Sequence, residues 1–173
     1  IKNLLKKIKS QKNNKTSVED EQIDVLNITD SNIQERKTKY FFFLLKDNWD
    51  RPAISNYQGV TLHYRDLARR IAKLHIMFDE CGLQKGDKVA LCSRNQANWV
   101  VSFLATMTYG AVAVPLMHEF KPSNIHHLVN HSEAKILFVD EVIWEGLSEI
   151  DMSDLQAVIQ VNTFKLLYAA NDK

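Results

Sequence analysis

The feature that most constrains this chain is an alternation of short apolar runs with helical stretches of ten or more residues, beginning at Lys85. Lys88-Val89-Ala90-Leu91-Cys92 has the length and composition of a strand buried on both faces. From Asn95, a residue type that caps helices, a helical stretch runs to about Tyr109, where Gly110 can end it. Ala111-Val112-Ala113-Val114 is the next strand before Pro115, and Pro122 suits the first turn of a helix reaching about His131. Lys135-Ile136-Leu137-Phe138-Val139 and Ala157-Val158-Ile159-Gln160-Val161 read as a third and a fourth strand. Strands joined by helices lie parallel, because parallel neighbours need a crossover of a dozen or more residues. The expected fold is α/β, a mainly parallel sheet with helices on both faces.

Upstream, a helix through Leu45 is expected to end before Pro52. Ala53-Ile54-Ser55 and Val60-Thr61-Leu62 flank Asn56-Tyr57-Gln58-Gly59, which predicts a small β-hairpin. Leu67, Ile71, Leu74, Phe78 and Cys81 recur every three or four residues and predict a long helix that Gly82 terminates.

Composition shifts near residue 38. Residues 1–38 are expected to be a polar tail, partly helical or disordered, and residues 39–173 an α/β subdomain, an incomplete domain of a longer enzyme. Residues 1–39 carry nine Lys or Arg against six Asp or Glu, whereas residues 40–173 carry thirteen against fifteen. Neither part has the basic excess of a nucleic-acid binder. In residues 1–9, Ile1, Leu4, Leu5 and Ile8 share a helical face opposite lysines, which implies weak peripheral membrane contact. Two turns are too short to hold at a bilayer alone, and a frayed or partner-docked tail is the simpler reading. Cys81 and Cys92 are too few for a disulfide framework and read as buried free thiols in a reducing compartment. No apolar run is long enough to cross a bilayer, so a cytoplasmic location is expected. The first residue, Ile1 rather than Met, fits a processed or engineered piece.

Most chemical candidates fail on spacing. Gly82-Leu83-Gln84-Lys85-Gly86-Asp87-Lys88 precedes a strand, whereas a phosphate loop must follow one and open a helix. His127 and His131 are four residues apart and could touch one ion, but no third ligand has suitable local spacing. A solvated polar face, shared with Asn130, is the expectation there. Asp50, Arg51, Asp66, Arg69 and Arg70 read as surface ion pairs or helix caps. In open α/β sheets ligands bind beyond the carboxyl ends of the strands. Here those ends are Ser93-Arg94-Asn95, Leu116 to Phe120 and Asp140-Glu141, so His118 and Phe120 are candidates for a groove wall.

Four segments carry a resemblance. Thr61-Leu62-His63-Tyr64-Arg65-Asp66-Leu67 is similar to a Thr/Ser-Tyr-x-Glu/Asp-Leu element that opens a helix. Gly86-Asp87-Lys88-Val89-Ala90-Leu91 is similar to a Gly-Asp-Arg/Lys-Val-Ala strand, and Asn95 through Pro115, ending Tyr109-Gly110-Ala111-Val112-Ala113-Val114-Pro115, to a second signature. His131-Ser132-Glu133-Ala134-Lys135-Ile136-Leu137-Phe138 is similar to a following strand and its approach. Together, in order, over about residues 40–162, they resemble the N-terminal part of the AMP-forming acyl-CoA synthetases, the adenylate-forming superfamily. The nearest look is to bacterial long-chain-fatty-acid–CoA ligases, partly through Asn48-Trp49-Asp50-Arg51-Pro52-Ala53.

The resemblance implies a parent enzyme that joins a fatty acid to AMP using ATP and Mg²⁺, then passes the acyl group to coenzyme A. Family members hold the phosphates with a Ser/Thr/Gly-rich loop ending Pro-Lys-Gly and use a lysine in a small C-terminal domain. Nothing here matches those motifs: none of the three prolines (Pro52, Pro115, Pro122) precedes Lys-Gly. No catalytic, cofactor-binding or metal-binding residue is therefore carried over. The expectation is an N-terminal fragment that is inactive alone and binds no cofactor, reaching fatty acid, ATP and CoA only through downstream regions. The alternative is a stand-alone, non-catalytic α/β binding or interaction module. A nicotinamide-dependent oxidoreductase is disfavoured because no Gly-x-Gly-x-x-Gly follows any expected strand.

Overall fold

A computed structural model describes residue 39 and residues 41–170. The tail expected over residues 1–38, including the amphipathic stretch 1–9, lies outside the described residues. The chain forms two compact units, Ile1–Trp49 and Asp50–Lys173. In the first, the described part is a helix, α1 (41–47), followed by a turn in which the Asn48 side-chain amide donates to Leu44 O at 3.0 Å.

The second unit opens with the hairpin, β1 (Pro52–Ser55) and β2 (Thr61–His63), paired antiparallel. Helix α2 (Tyr64–Glu80) starts where Asp66 Oδ2 accepts the His63 N–H at 3.1 Å, so the acidic residue of the first similarity segment is a helix cap. It buries Leu67, Ile71, Leu74 and Phe78, the periodicity read from sequence. The Cys81 N–H bonds back to Met77 O, and Gly82 takes φ +72 just beyond the helix end.

A five-stranded sheet follows in the order β4-β3-β5-β6-β7, where β3 is Lys88–Cys92, β4 Val112–Pro115, β5 Ala134–Val139, β6 Ala157–Gln160 and β7 Leu166–Ala169. The first four are parallel to one another; β7 returns antiparallel beside β6 and is the one strand the sequence pattern did not announce. Helices α3 (Ala97–Tyr109) and α4 (Pro122–Ser132), a single turn α5 (Glu141–Trp144) and a 3₁₀ turn (Glu149–Asp151) complete the unit. Gly110 ends α3 at φ +94, and its carbonyl accepts the Gly86 N–H at 2.9 Å.

Both sheet faces are covered, and the period-2 alternation of the strands divides the core accordingly. One face carries Ala90, Cys92, Leu137, Val139 and Val158 against Ile125 and Val129 of α4 and against Met152 and Leu155. On the other, α2 and α3 pack together, and Phe78 meets Phe138 and Tyr109 edge-on, with centroids 6.0 and 5.4 Å apart. Phe78, Phe138, Leu91 and Ile136 are fully buried, each side chain contributing roughly 1.5–3 kcal/mol of burial.

Candidate functional site

The strand order creates a topological switch point. From β3 the chain passes to one side through α3 to β4; from β5 it passes to the other side through α5 to β6. The crevice beyond the carboxyl ends of β3 and β5 is where an open α/β sheet ordinarily takes a ligand. Here Asp140 closes it. Its Oδ2 accepts the Arg94 N–H at 2.9 Å and its Oδ1 the Gln96 side-chain amide at 3.2 Å. Next to it, Glu141 Oε2 accepts from Gln160 Nε2 at 2.9 Å, and Thr163 Oγ1 donates to Gln160 Oε1.

The N-terminus of α3, at the same edge, is likewise occupied. Asn56 Oδ1, from the hairpin loop, accepts the Ala97 N–H at 2.7 Å. The expected cap, Asn95, is displaced by this long-range partner, and Gln96 occupies the N-cap position. Asn98 joins three elements. Its side-chain amide donates to Val161 O at 2.9 Å and Asn162 O at 2.8 Å, and its oxygen accepts from Arg70. Arg70, read from sequence among the surface ion pairs and caps, is thus a partner of a buried amide. Asp50 does pair with Arg65, at 2.7 Å, and Asp66 stands 3.7 Å from Arg69.

Of the two groove-wall candidates, His118 is half-exposed at the end of β4, its Nε2 4.0 Å from Glu119 Oε1. Phe120 lies in the same turn, closed by its N–H to Met117 O at 3.2 Å, and packs against the apolar cluster on the α4 face. The Cys92 thiol is pushed up to about 11 by burial and then by the Asp140 charge, which keeps it a neutral core group. His126 accepts the Ser148 N–H at 3.1 Å, and Asn130 donates to Asp151 O at 2.6 Å, so α4 uses part of its polar face to hold the 148–151 segment. Asn130 stays exposed as expected while also holding the Asp151 carbonyl, and His127 and His131 are exposed beside it.

A recess of about 510 Å³ lies near the amino edge of the sheet, lined by Asp79, Leu83, Gln84, Lys85 and Tyr109. The Tyr109 hydroxyl is 2.7 Å from Asp79 Oδ1 and 2.8 Å from Leu83 O. Desolvation, then the bond to Asp79 and the charges of Asp79 and Asp87, push its pKa up to about 12. Burial likewise lowers the pKa of His75, whose Nε2 lies 3.0 Å from Ala105 O.

Among the described residues no three His, Cys, Asp or Glu side chains converge to hold a metal, and both carboxylates of the switch point are engaged with internal donors. The residues that matter most here, Asn56, Asn98 and Asp140, left no local sequence signal, because their partners lie 28 to 64 residues away.

The mainly parallel sheet with helices on both faces has the fold seen in solved CoA ligases. Residues 45–172 match the family described as AMP-binding enzyme, and the chain belongs to that family. A Bacillus subtilis (strain 168) protein with the working name acyl–CoA ligase YdaB is 31% identical over 121 residues, covering 65% of this chain and 24% of that protein. Fatty acyl-CoA synthetase A of Dictyostelium discoideum is 30% identical over 79 residues, 46% of this chain and 12% of its own. The long-chain-fatty-acid–CoA ligase FadD1 of Archaeoglobus fulgidus superposes with a TM-score of 0.64 at 20% identity, over 72% of this chain and 27% of that one. The chain thus spans about a quarter or less of the length of these relatives.

Proposed function

We propose that residues 39–173 are the N-terminal subdomain of a longer AMP-forming fatty-acid–CoA ligase, inactive in isolation. The observation that carries this reading is the family match over residues 45–172, together with relatives named as acyl-CoA ligases and synthetases. In the proposed reaction a fatty-acid carboxylate oxygen attacks the α-phosphorus of ATP and pyrophosphate leaves. The thiol of coenzyme A then attacks the acyl carbon, AMP leaves, and the thiol proton passes to solvent. ATP, Mg²⁺ and CoA are held by other parts of that enzyme. This subdomain supplies the rigid sheet, with His118 and Phe120 in a wall of the substrate groove. A cytoplasmic location accords with this reading, and no described helix is long and apolar enough to cross a membrane.

The test uses the complete gene product. Fatty-acid-dependent release of AMP and pyrophosphate, with acyl-CoA formed only when CoA is added, is expected across a series of chain lengths. His118→Ala is expected to raise KM for the acid more than it lowers kcat, as loss of a binding wall does. Activity on no fatty acid, beside activity on an aryl or short hydroxy acid, would refute the substrate class.

A further inference from the structure

Helix α4 is pinned along one side and open on the other. Ile125 and Val129 are buried in the core, Pro122 fixes its first turn, and His126 and Asn130 bond to the 148–151 segment. His127 and His131 project from the opposite side, both exposed. Their rings lie stacked, with centroids 5.9 Å apart and planes 15° from parallel, and among the described residues neither ring nitrogen has a hydrogen-bond or ion-pair partner.

The geometry points to a surface site for one borderline transition-metal ion, of the Cu²⁺, Ni²⁺ or Zn²⁺ class, chelated by the imidazoles of His127 and His131. Residues four apart on a helix have Cβ atoms within roughly 5–6 Å, so two imidazole nitrogens reach one ion without moving the backbone. The anchored opposite face holds that backbone still, which lowers the ordering cost of chelation. His131 is in the last turn of α4, where the helix dipole favours a cation. Imidazole nitrogen selects this metal class, whereas Mg²⁺ and Ca²⁺ take oxygen ligands. With no third protein ligand converging among the described residues, water completes the coordination, so the site is open and exchangeable rather than structural. The site does not depend on the ligase reading, since it lies on the exposed side of α4, away from the carboxyl edge.

The test is a Cu²⁺ titration of the ¹⁵N-labelled chain, with electron paramagnetic resonance of the bound ion. Broadening is expected first at amides of the C-terminal half of α4, at one ion per chain, with two nitrogen ligands in the resonance spectrum. His127→Ala and His131→Ala are changes at exposed positions and are expected to leave the circular dichroism spectrum unchanged. Each is expected to weaken binding by about 10²-fold, the loss of the second arm of a chelate. Mg²⁺ at the same concentration is expected to displace nothing. Broadening centred elsewhere, or wild-type affinity in either single variant, would overturn the assignment.

Discussion

Truncating Asn98 to alanine removes one carboxamide that holds the start of α3 to the far end of β6. The side chain donates to two carbonyls, Val161 O at 2.9 Å and Asn162 O at 2.8 Å, and accepts from Arg70. The two carbonyls differ in what replaces the lost donor. Asn162 is exposed, so water takes over; Val161 is fully buried, so its carbonyl is left bare. A bare buried acceptor costs about 1–3 kcal/mol, and the lost bond with the Arg70 guanidinium about another 1–2 kcal/mol. The sum is about 2–5 kcal/mol. With a urea m-value of about 2 kcal/mol/M, the unfolding midpoint falls by roughly 1–2.5 M at unchanged m. Tryptophan fluorescence follows the transition, and Trp99 lies one residue from the substitution. Amide exchange is expected to rise most from Val161 through β7. Asn98→Asp is the sharper control: a carboxylate facing two carbonyl oxygens is expected to be at least as damaging, despite its attraction to Arg70. A loss below about 1 kcal/mol for the alanine variant, or an aspartate variant more stable than it, would refute the reasoning.

Phe78→Ala empties a site of zero exposure between Tyr109 and Phe138 and is expected to cost about 3–5 kcal/mol by chemical denaturation. Gly110→Ala forces a side chain into φ +94 and sets its Cβ 3.3 Å from Lys85 Cγ, so thermal unfolding should move down by several degrees, for a cost of about 1–2 kcal/mol. The raised Tyr109 pKa adds stability that is complete below the unfolded value of 10 and is lost as pH rises toward about 12. Tyr109→Phe should flatten that alkaline limb in pH-dependent denaturation, and an unchanged limb would count against the assignment. His75 runs the other way: its lowered pKa gives stability present above 6.5 and lost as pH falls through the folded value, so His75→Gln should flatten the acid limb.

Legibility followed the range of the interactions. Strand β3 was readable to the residue, and β5 and β6 to within one, because a strand buried on both faces is an unbroken apolar run whatever surrounds it. The breaks at Gly82 and Gly110 were readable because positive φ is a local demand that glycine meets at low cost. Strand β7 was not: four residues after a turn in which Phe164 takes φ +59 are too short to show a period, and the pairing partner is specified by β6. The cap of α3 misled for a related reason. Asn95 is the right residue type one position ahead of the Gln96 cap, and Asn56 arrives from the hairpin loop and takes the Ala97 N–H. At the carboxyl edge, the sequence indicated which segments meet, Ser93-Arg94-Asn95 and Asp140-Glu141. That Asp140 would spend both oxygens closing the gap depends on three-dimensional placement that no spacing encodes.

The account stands most directly on nucleotide chemistry by the chain itself. In an ATP–pyrophosphate exchange assay with Mg²⁺ and fatty acids of graded length, residues 1–173 alone are expected to give only the no-protein background. A ligase that includes the downstream regions is expected to exchange under the same conditions. Fatty-acid-dependent exchange by the 173-residue chain above that background would contradict the scaffold reading.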